Sequence, residues 1–243
     1  MRLIKFLLFF ISLAPIIVFA ATDIELDKAP IDTSDNASLQ RGAQSFVNYC
    51  LTCHGASYMR YNRHQDIGLS NQDISERLIH TGQKVGDMMF TAIRKNEAEE
   101  SFGVVPPDLS VIARSRGADW LYTYLRSFYR DESSSSGWNN LIFDRVAMPH
   151  VLYQLQGQQV LITKSANSEK GTPEIKELKL SVPGLLSKEE YDNFVTDLVN
   201  YMVYLGEPHA NYRKKLGAIV LIFLLSMLGL TYLLKREYWR DVH

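Results

Sequence analysis

The chain has 243 residues, 46% of them apolar and 22% charged, with a formal net charge of −1. That composition excludes a disordered chain and a multi-span membrane protein, and the length suits one sizeable domain with appendages. The two cysteines, Cys50 and Cys53, are too few and too close for a disulfide-stapled secreted domain, so they point to one local chemical site.

The N-terminus carries Arg2 and Lys5, then an apolar run from Phe6 to Phe19, ending at Val18-Phe19-Ala20. This is the layout of a secretory signal covering residues 1–20, with cleavage near Ala20; the run is short for a retained anchor and lacks a stop-transfer flank. Residues 22–37 are polar, include Pro30 and read as an extended lead-in. Ser38 to Tyr49 predicts a helix, because Leu39, Ala43, Phe46, Val47 and Cys50 recur at spacings of three and four.

That helix runs into Cys50-Leu51-Thr52-Cys53-His54, the C-x-x-C-H pattern of covalent haem attachment. Two thiols on one turn can add to the two vinyl groups of one porphyrin, and the adjacent imidazole then serves as the proximal iron ligand. A thioredoxin-like pair needs a βαβ context, which does not precede it. A zinc site needs further ligands, and a plain disulfide gives His54 no role.

Residues 55–92 read as loops with short helices, and Gly117 to Tyr129 as a helix with Trp120, Leu121, Tyr124, Leu125 and Phe128 on one side. The serine- and asparagine-rich segment 131–140 reads as a loop. Val160–Thr163 and Ile175–Val182 predict a small hairpin. Ser187 and Glu190 form a capping-box pattern before a helix with Phe194, Leu198, Tyr201, Met202 and Leu205 on its apolar face, ending near Gly206.

Leu216 to Leu234 is an uncharged apolar stretch, about 28 Å as a helix, bracketed by Arg213, Lys214 and Lys215 and by Lys235, Arg236 and Arg240. Tyr212, Tyr232, Tyr238 and Trp239 fall where an interfacial aromatic belt lies. This predicts one transmembrane anchor over 213–236 and a cytoplasmic tail over 237–243. The basic residues balance, so the signal rather than the positive-inside rule orients the anchor and places residues 21–212 outside. Two of the 26 basic residues lie in the leader and six from Arg213 onward, which leaves 18 against 25 acidic residues in the exported part, a charge near −7. Such a surface favours a basic partner.

The sixth iron ligand decides the chemistry: an open position permits gas binding or oxygen chemistry, whereas a thioether favours electron transfer. Met148, extended by the following Pro149, leads on spacing, ahead of Met88 and Met89. Met59 lies too near His54, and Met202 lies on a packing face. His64, His80 and His150 are weaker candidates. A closed sixth position makes the chain a one-electron carrier, for instance an anchored cytochrome c serving a terminal oxidase; an open one makes it a haem enzyme or gas sensor.

The chain also resembles a known family in several segments in order: Ser38-Leu39-Gln40-Arg41-Gly42, Cys50 to His54, Tyr58-Met59-Arg60-Tyr61, Val105-Pro106-Pro107-Asp108-Leu109-Ser110, Ala147-Met148-Pro149, and an anchor ending Lys235-Arg236-Glu237-Tyr238-Trp239. Together they resemble the cytochrome c1 family, the membrane-anchored haem subunits of ubiquinol–cytochrome c reductase. The resemblance implies a mainly α cytochrome c-type domain with loop and hairpin insertions and one C-terminal transmembrane helix. It implies one haem c bound through Cys50 and Cys53, with His54 and Met148 on the iron. It also places Pro107 beside the haem, Arg116 near a propionate and Trp120 packed at the ring. The implied partners are cytochrome b, a Rieske iron–sulfur protein, a soluble c-type cytochrome and membrane lipid. The implied location is a bacterial inner membrane with the haem domain on the periplasmic side. Gly55 departs from the serine found in many relatives, at a position with no ligand role. Glu97, Glu99 and Glu100 are candidates for the docking face of the soluble cytochrome.

Overall fold

The computed structural model describes residues 24–165 and 174–241. The expected signal segment over residues 1–20 lies outside these. The architecture is mainly α, with short two-stranded sheets, as the sequence indicates.

Helix α1 (Asn36–Tyr49) starts two residues earlier than the apolar periodicity predicts. Asp35 explains this: its carboxylate accepts from the amides of Ala37 at 2.9 Å and Ser38 at 3.1 Å, satisfying donors the first turn leaves open. After strand β1 (Ala56–Arg60) and a 3-10 turn (Tyr61–Ile67) come α2 (Asn71–Arg77), strand β2 (Met88–Met89) and the acidic helix α3 (Lys95–Phe102). Helices α4 (Ile112–Arg116) and α5 (Ala118–Arg126) follow. Here the single helix expected over 117–129 is corrected: it stops at Arg126, and Phe128–Arg130 forms strand β3. The segment expected to be all loop is corrected too, because Trp138–Asn140 forms strand β4, antiparallel to β3 and buried throughout. Both corrections have one cause. Strand pairing of Phe128 with Asn140 and Arg130 with Trp138 outweighs local propensity.

The short helix α6 (Tyr153–Gln156) leads into the hairpin of β5 (Gly157–Ser165) and β6 (Glu174–Pro183), which pair antiparallel as expected. Helix α7 (Lys188–Gly206) carries the expected capping box: the Ser187 amide donates to Glu190 at 2.8 Å and the Glu190 amide to the Ser187 hydroxyl at 3.3 Å. The last element, α8 (Ala210–Tyr238), is 29 residues long, and none of its apolar stretch is buried in the molecule. Its inner hydroxyls are satisfied within the helix, Ser226 on the Ile222 carbonyl and Thr231 on that of Met227, as a lipid surrounding requires.

The core forms where α1 meets α7. Leu39, Ala43 and Phe46 from α1 pack with Val195, Leu198 and Tyr201 from α7, all at or below 1% exposure; each large side chain contributes about 1.5–3 kcal/mol. Gly42 permits the approach, since a Cβ there would lie 2.1 Å from the Asp197 carbonyl oxygen and 2.7 Å from the Tyr201 Cβ. Arg41 grips Asp197 with Nε at 2.6 Å and an Nη at 2.9 Å. Arg126 on α5 bridges Asp192 on α7 at 2.7 Å and Asp27 of the lead-in at 2.8 Å. The end of α1, which carries the cysteines, is therefore held on a rigid two-helix base.

Candidate haem site

The cysteine motif is a continuation of α1. Cys50 caps the helix through its amide on the Phe46 carbonyl, and the amides of Cys53 and His54 return to the Cys50 carbonyl at 3.1 and 2.8 Å. One helical turn thus presents both sulfurs and the imidazole. Both cysteines are unpaired, which leaves each sulfur free to form a thioether. Burial pushes the Cys50 thiol up to about 12 and the Cys53 thiol up as well. One neighbouring segment fixes the turn: the Ile93 amide and the Thr91 hydroxyl both donate to the Thr52 carbonyl, at 3.2 and 2.8 Å.

His54 is held in one tautomer. Its Nδ1 lies 2.8 Å from the Pro107 carbonyl oxygen. A carbonyl only accepts, so Nδ1 carries the proton and Nε2 the lone pair. Burial lowers the His54 pKa, opposed in part by the Pro107 hydrogen bond and the Asp108 charge, and keeps the imidazole neutral at pH 7. Pro107 contributes through its backbone, and the 105–110 loop is strapped down to hold that carbonyl. The Leu109 amide donates to the Gly55 carbonyl at 2.8 Å, and the Ser57 amide and hydroxyl donate to Asp108 at 2.9 and 2.6 Å. Burial alone raises the Asp108 pKa, but the bonds from Ser110 and Ser57 outweigh it and hold the carboxyl below its usual value. Gly55 is tight here, because a Cβ would sit 3.1 Å from the Asp108 carboxylate.

The methionines sort by environment. Met59, Met89 and Met202 are at or below 3% exposure in the core. Met148 is half-buried and accepts a hydrogen bond at its sulfur from the Tyr124 hydroxyl at 3.4 Å. Met89 also meets a hydroxyl, Tyr201 at 3.6 Å, but that proton has a better acceptor. His64 Nδ1 donates to the Tyr61 carbonyl at 2.7 Å, which leaves His64 Nε2 to accept from Tyr201 at 2.7 Å. His64 is thereby accounted for as a core residue. His150 is stacked on Phe128 with ring centres 4.8 Å apart and parallel to within 1°, and its buried Nε2 has no hydrogen-bond partner among the described residues; His80 is exposed.

Arg116 and Trp120 are brought together: the guanidinium carbon lies 5.1 Å from the Trp120 ring centre and 5.9 Å from that of Phe143. Trp120 in turn stacks on Tyr124 at 4.7 Å. Sequence reasoning passed over three residues that organise the Met148 loop. Tyr124 appeared only as a helix-face aromatic. Asn139 donates to Asp131 and Asp144 and accepts from the amides of Asn140 and Arg145, the latter at φ 56°. Asn140 donates to the Tyr124 carbonyl at 2.8 Å. Buried adjacent asparagines in a polar segment were the available signal, since such groups need partners.

The donor set fits a c-type haem: two free thiols and a neutral imidazole on one turn, and a thioether on an ordered loop. A model of the cytochrome c1 family matches residues 27–160 and 186–242. The chain belongs to the cytochrome c1 family. Consistent with this, it is 46% identical over 236 residues to a cytochrome c1 of Allochromatium vinosum, covering 96% of this chain and 97% of that one. It is 66% identical over 244 residues, and the full length of both, to a Nitrosomonas europaea protein named ammonia monooxygenase gamma subunit. A Rhodospirillum rubrum cytochrome c1 is 27% identical, over 86% of this chain and 83% of that one. As a member of the cytochrome c1 family, the chain is an electron-transfer subunit of ubiquinol–cytochrome c reductase carrying one covalent haem c. It is not an enzyme by itself, and its C-terminal apolar helix anchors it in a membrane. The β5–β6 hairpin falls mostly in the gap between the two matched segments.

Proposed function

We propose that this chain takes single electrons from a Rieske iron–sulfur protein and passes them to a soluble c-type cytochrome. It would do so beside cytochrome b, with residues 21–212 on the periplasmic side of a bacterial inner membrane, after removal of residues 1–20. The observation that carries the reading is the 2.8 Å bond from His54 Nδ1 to the Pro107 carbonyl, one residue after Cys53, which leaves Nε2 as a ligand. Cys50 and Cys53 would hold the haem covalently, His54 and Met148 would occupy the two axial positions, and the group supplies reversible one-electron chemistry when bound. Arg116 would face a propionate while Trp120 packs at the ring. Purification through a tag on the tail is expected to bring down cytochrome b and a Rieske protein with quinol–cytochrome c reductase activity; a preparation that reduces a soluble cytochrome but lacks both subunits would defeat this reading in favour of an oxidase-linked carrier.

The acceptor would dock where Cys53 opens to the surface. Cys53, Gly55, Phe90, Ile93, Val105 and Pro107 surround a groove of about 500 Å³, with α3 on its rim. Of the acidic residues there, Glu97 pairs with Arg94 at 3.4 Å, while Glu99 and Glu100 have no ion pair among the described residues. Charge reversal of Glu99 and Glu100 is expected to slow association with a basic cytochrome about tenfold at low salt, with the difference shrinking as salt rises. Stopped-flow rates independent of both charge and salt would remove α3 from the docking face.

The 66% identity to the Nitrosomonas protein favours testing a second role, as a subunit accompanying an ammonia-oxidising assembly. Ammonia-dependent oxygen uptake in the same purified material would support it, and its absence alongside active quinol–cytochrome c reductase would leave the first reading alone.

A further inference from the structure

We propose that Tyr124 is a positioning residue that tunes the haem iron through a hydrogen bond to the Met148 sulfur; the inference rests on Met148 being the axial ligand. The contact is 3.4 Å, and the Met148 sulfur is the only acceptor the Tyr124 hydroxyl has among the described residues. A thioether sulfur has two lone pairs, so one can accept from the phenol while the other remains for a metal. A proton shared with sulfur draws electron density from it and makes it a weaker donor. A weaker donor stabilises the ferric state less than the ferrous state, so the bond raises the reduction potential. Ligand hydrogen bonding is among the levers a protein has on a haem.

The phenol is built into place rather than resting there. Its ring stacks on Trp120 at 4.7 Å and 12° and meets Phe128 edge-on at 5.0 Å. Its backbone carbonyl accepts from Asn140 at 2.8 Å and from the Ser127 hydroxyl at 3.4 Å. Asn139, the neighbour of Asn140, accepts from the Arg145 amide in the loop that carries Met148. The adjacent asparagines thus tie the Tyr124 backbone and the start of the Met148 loop to one strand.

The test is a potentiometric titration of the haem in the intact purified complex, together with the long-wavelength charge-transfer band of a ferric iron–thioether bond. Tyr124→Phe is expected to keep that band and shift the ferric-to-ferrous ratio at fixed potential about threefold towards ferric, ~28 mV downward at 59 mV per tenfold for one electron. Installing 3-fluorotyrosine at position 124, a stronger donor of the same shape, is expected to move it the opposite way; this second variant serves if Tyr124→Phe does not assemble. Unchanged potentials with the band intact would overturn the inference while leaving Met148 as ligand. A wild-type complex without the band would overturn the Met148 reading and the inference with it.

Discussion

Tyr201 meets the Met89 sulfur at 3.6 Å and Tyr124 meets that of Met148 at 3.4 Å, yet only in the second pair is the phenolic proton available to sulfur. At Tyr201 the imidazole of His64, 2.7 Å away and fixed as an acceptor by its own bond to Tyr61, takes the proton. Met89 is fully buried and belongs to the base under α1; Met148 is half-buried on a loop held by Asn139 and Asn140. The same two side-chain types thus share a proton in one place and not in the other. The better acceptor beside the phenol decides which, because sulfur accepts only weakly.

The sharpest way to break this contrast is to truncate each methionine. Met148→Ala is expected to abolish the low-spin six-coordinate spectrum, admit carbon monoxide and lower the potential by far more than tenfold in the redox equilibrium, since axial ligand identity is the strongest lever on a haem. Met89→Ala is expected to leave spectrum and potential unchanged while costing about 2–5 kcal/mol of stability by urea denaturation, through the cavity it opens. A low-spin spectrum that survives Met148→Ala would return the sixth position to the other methionines.

Gly42→Ala probes the scaffold side alone. The new Cβ must displace the Asp197 carbonyl or the start of the Tyr201 side chain, so a loss near ~3 kcal/mol is expected, less the ~1 kcal/mol that alanine returns in a helix. A neutral result in thermal unfolding would mean that α1 and α7 can part without cost. Tyr201→Phe is a smaller step. It strands the His64 Nε2 in the core and is expected to cost about 1–3 kcal/mol, with no shift in the haem potential, the reverse of the pattern expected for Tyr124→Phe.

The smallest effect is a pH dependence. Burial lowers the His64 pKa from its usual 6.5, opposed by the Tyr61 bond and the Asp66 charge. The folded state therefore resists a proton that the unfolded state binds below pH 6.5. Stability is present in full above that value and falls as pH drops through it. Urea midpoints between pH 7.5 and 5 are expected to decline more steeply in the wild type than in His64→Gln; equal slopes would show that His64 titrates freely.

Much of the frame was legible in order along the chain, and the reason differs by element. Helix α7 announced itself by a capping box and an apolar stripe, both local signals, and α8 by an uncharged run long enough for a bilayer. The β5–β6 hairpin showed through alternating β-branched residues. Strand β4 did not, because Ser-, Gly- and Asn-rich sequence reads as loop until its partner β3 is in place. The N-cap of α1 was missed because Asp35 lies outside the apolar pattern that marked the helix.

The sequence by itself determined that a single turn carries two thiols and an imidazole, and that one apolar helix can cross a membrane. Spacing along a helix and the chemistry of side chains are properties of neighbours in the chain. Only the tertiary structure decided which nitrogen of His54 bears the proton, since Pro107 is 53 residues away. Only it separated Met148 from Met89, since each sulfur's environment is set by residues from other elements, Tyr124 for one and Tyr201 with His64 for the other. Proton placement and burial are properties of what surrounds an atom, and a chain acquires surroundings only by folding.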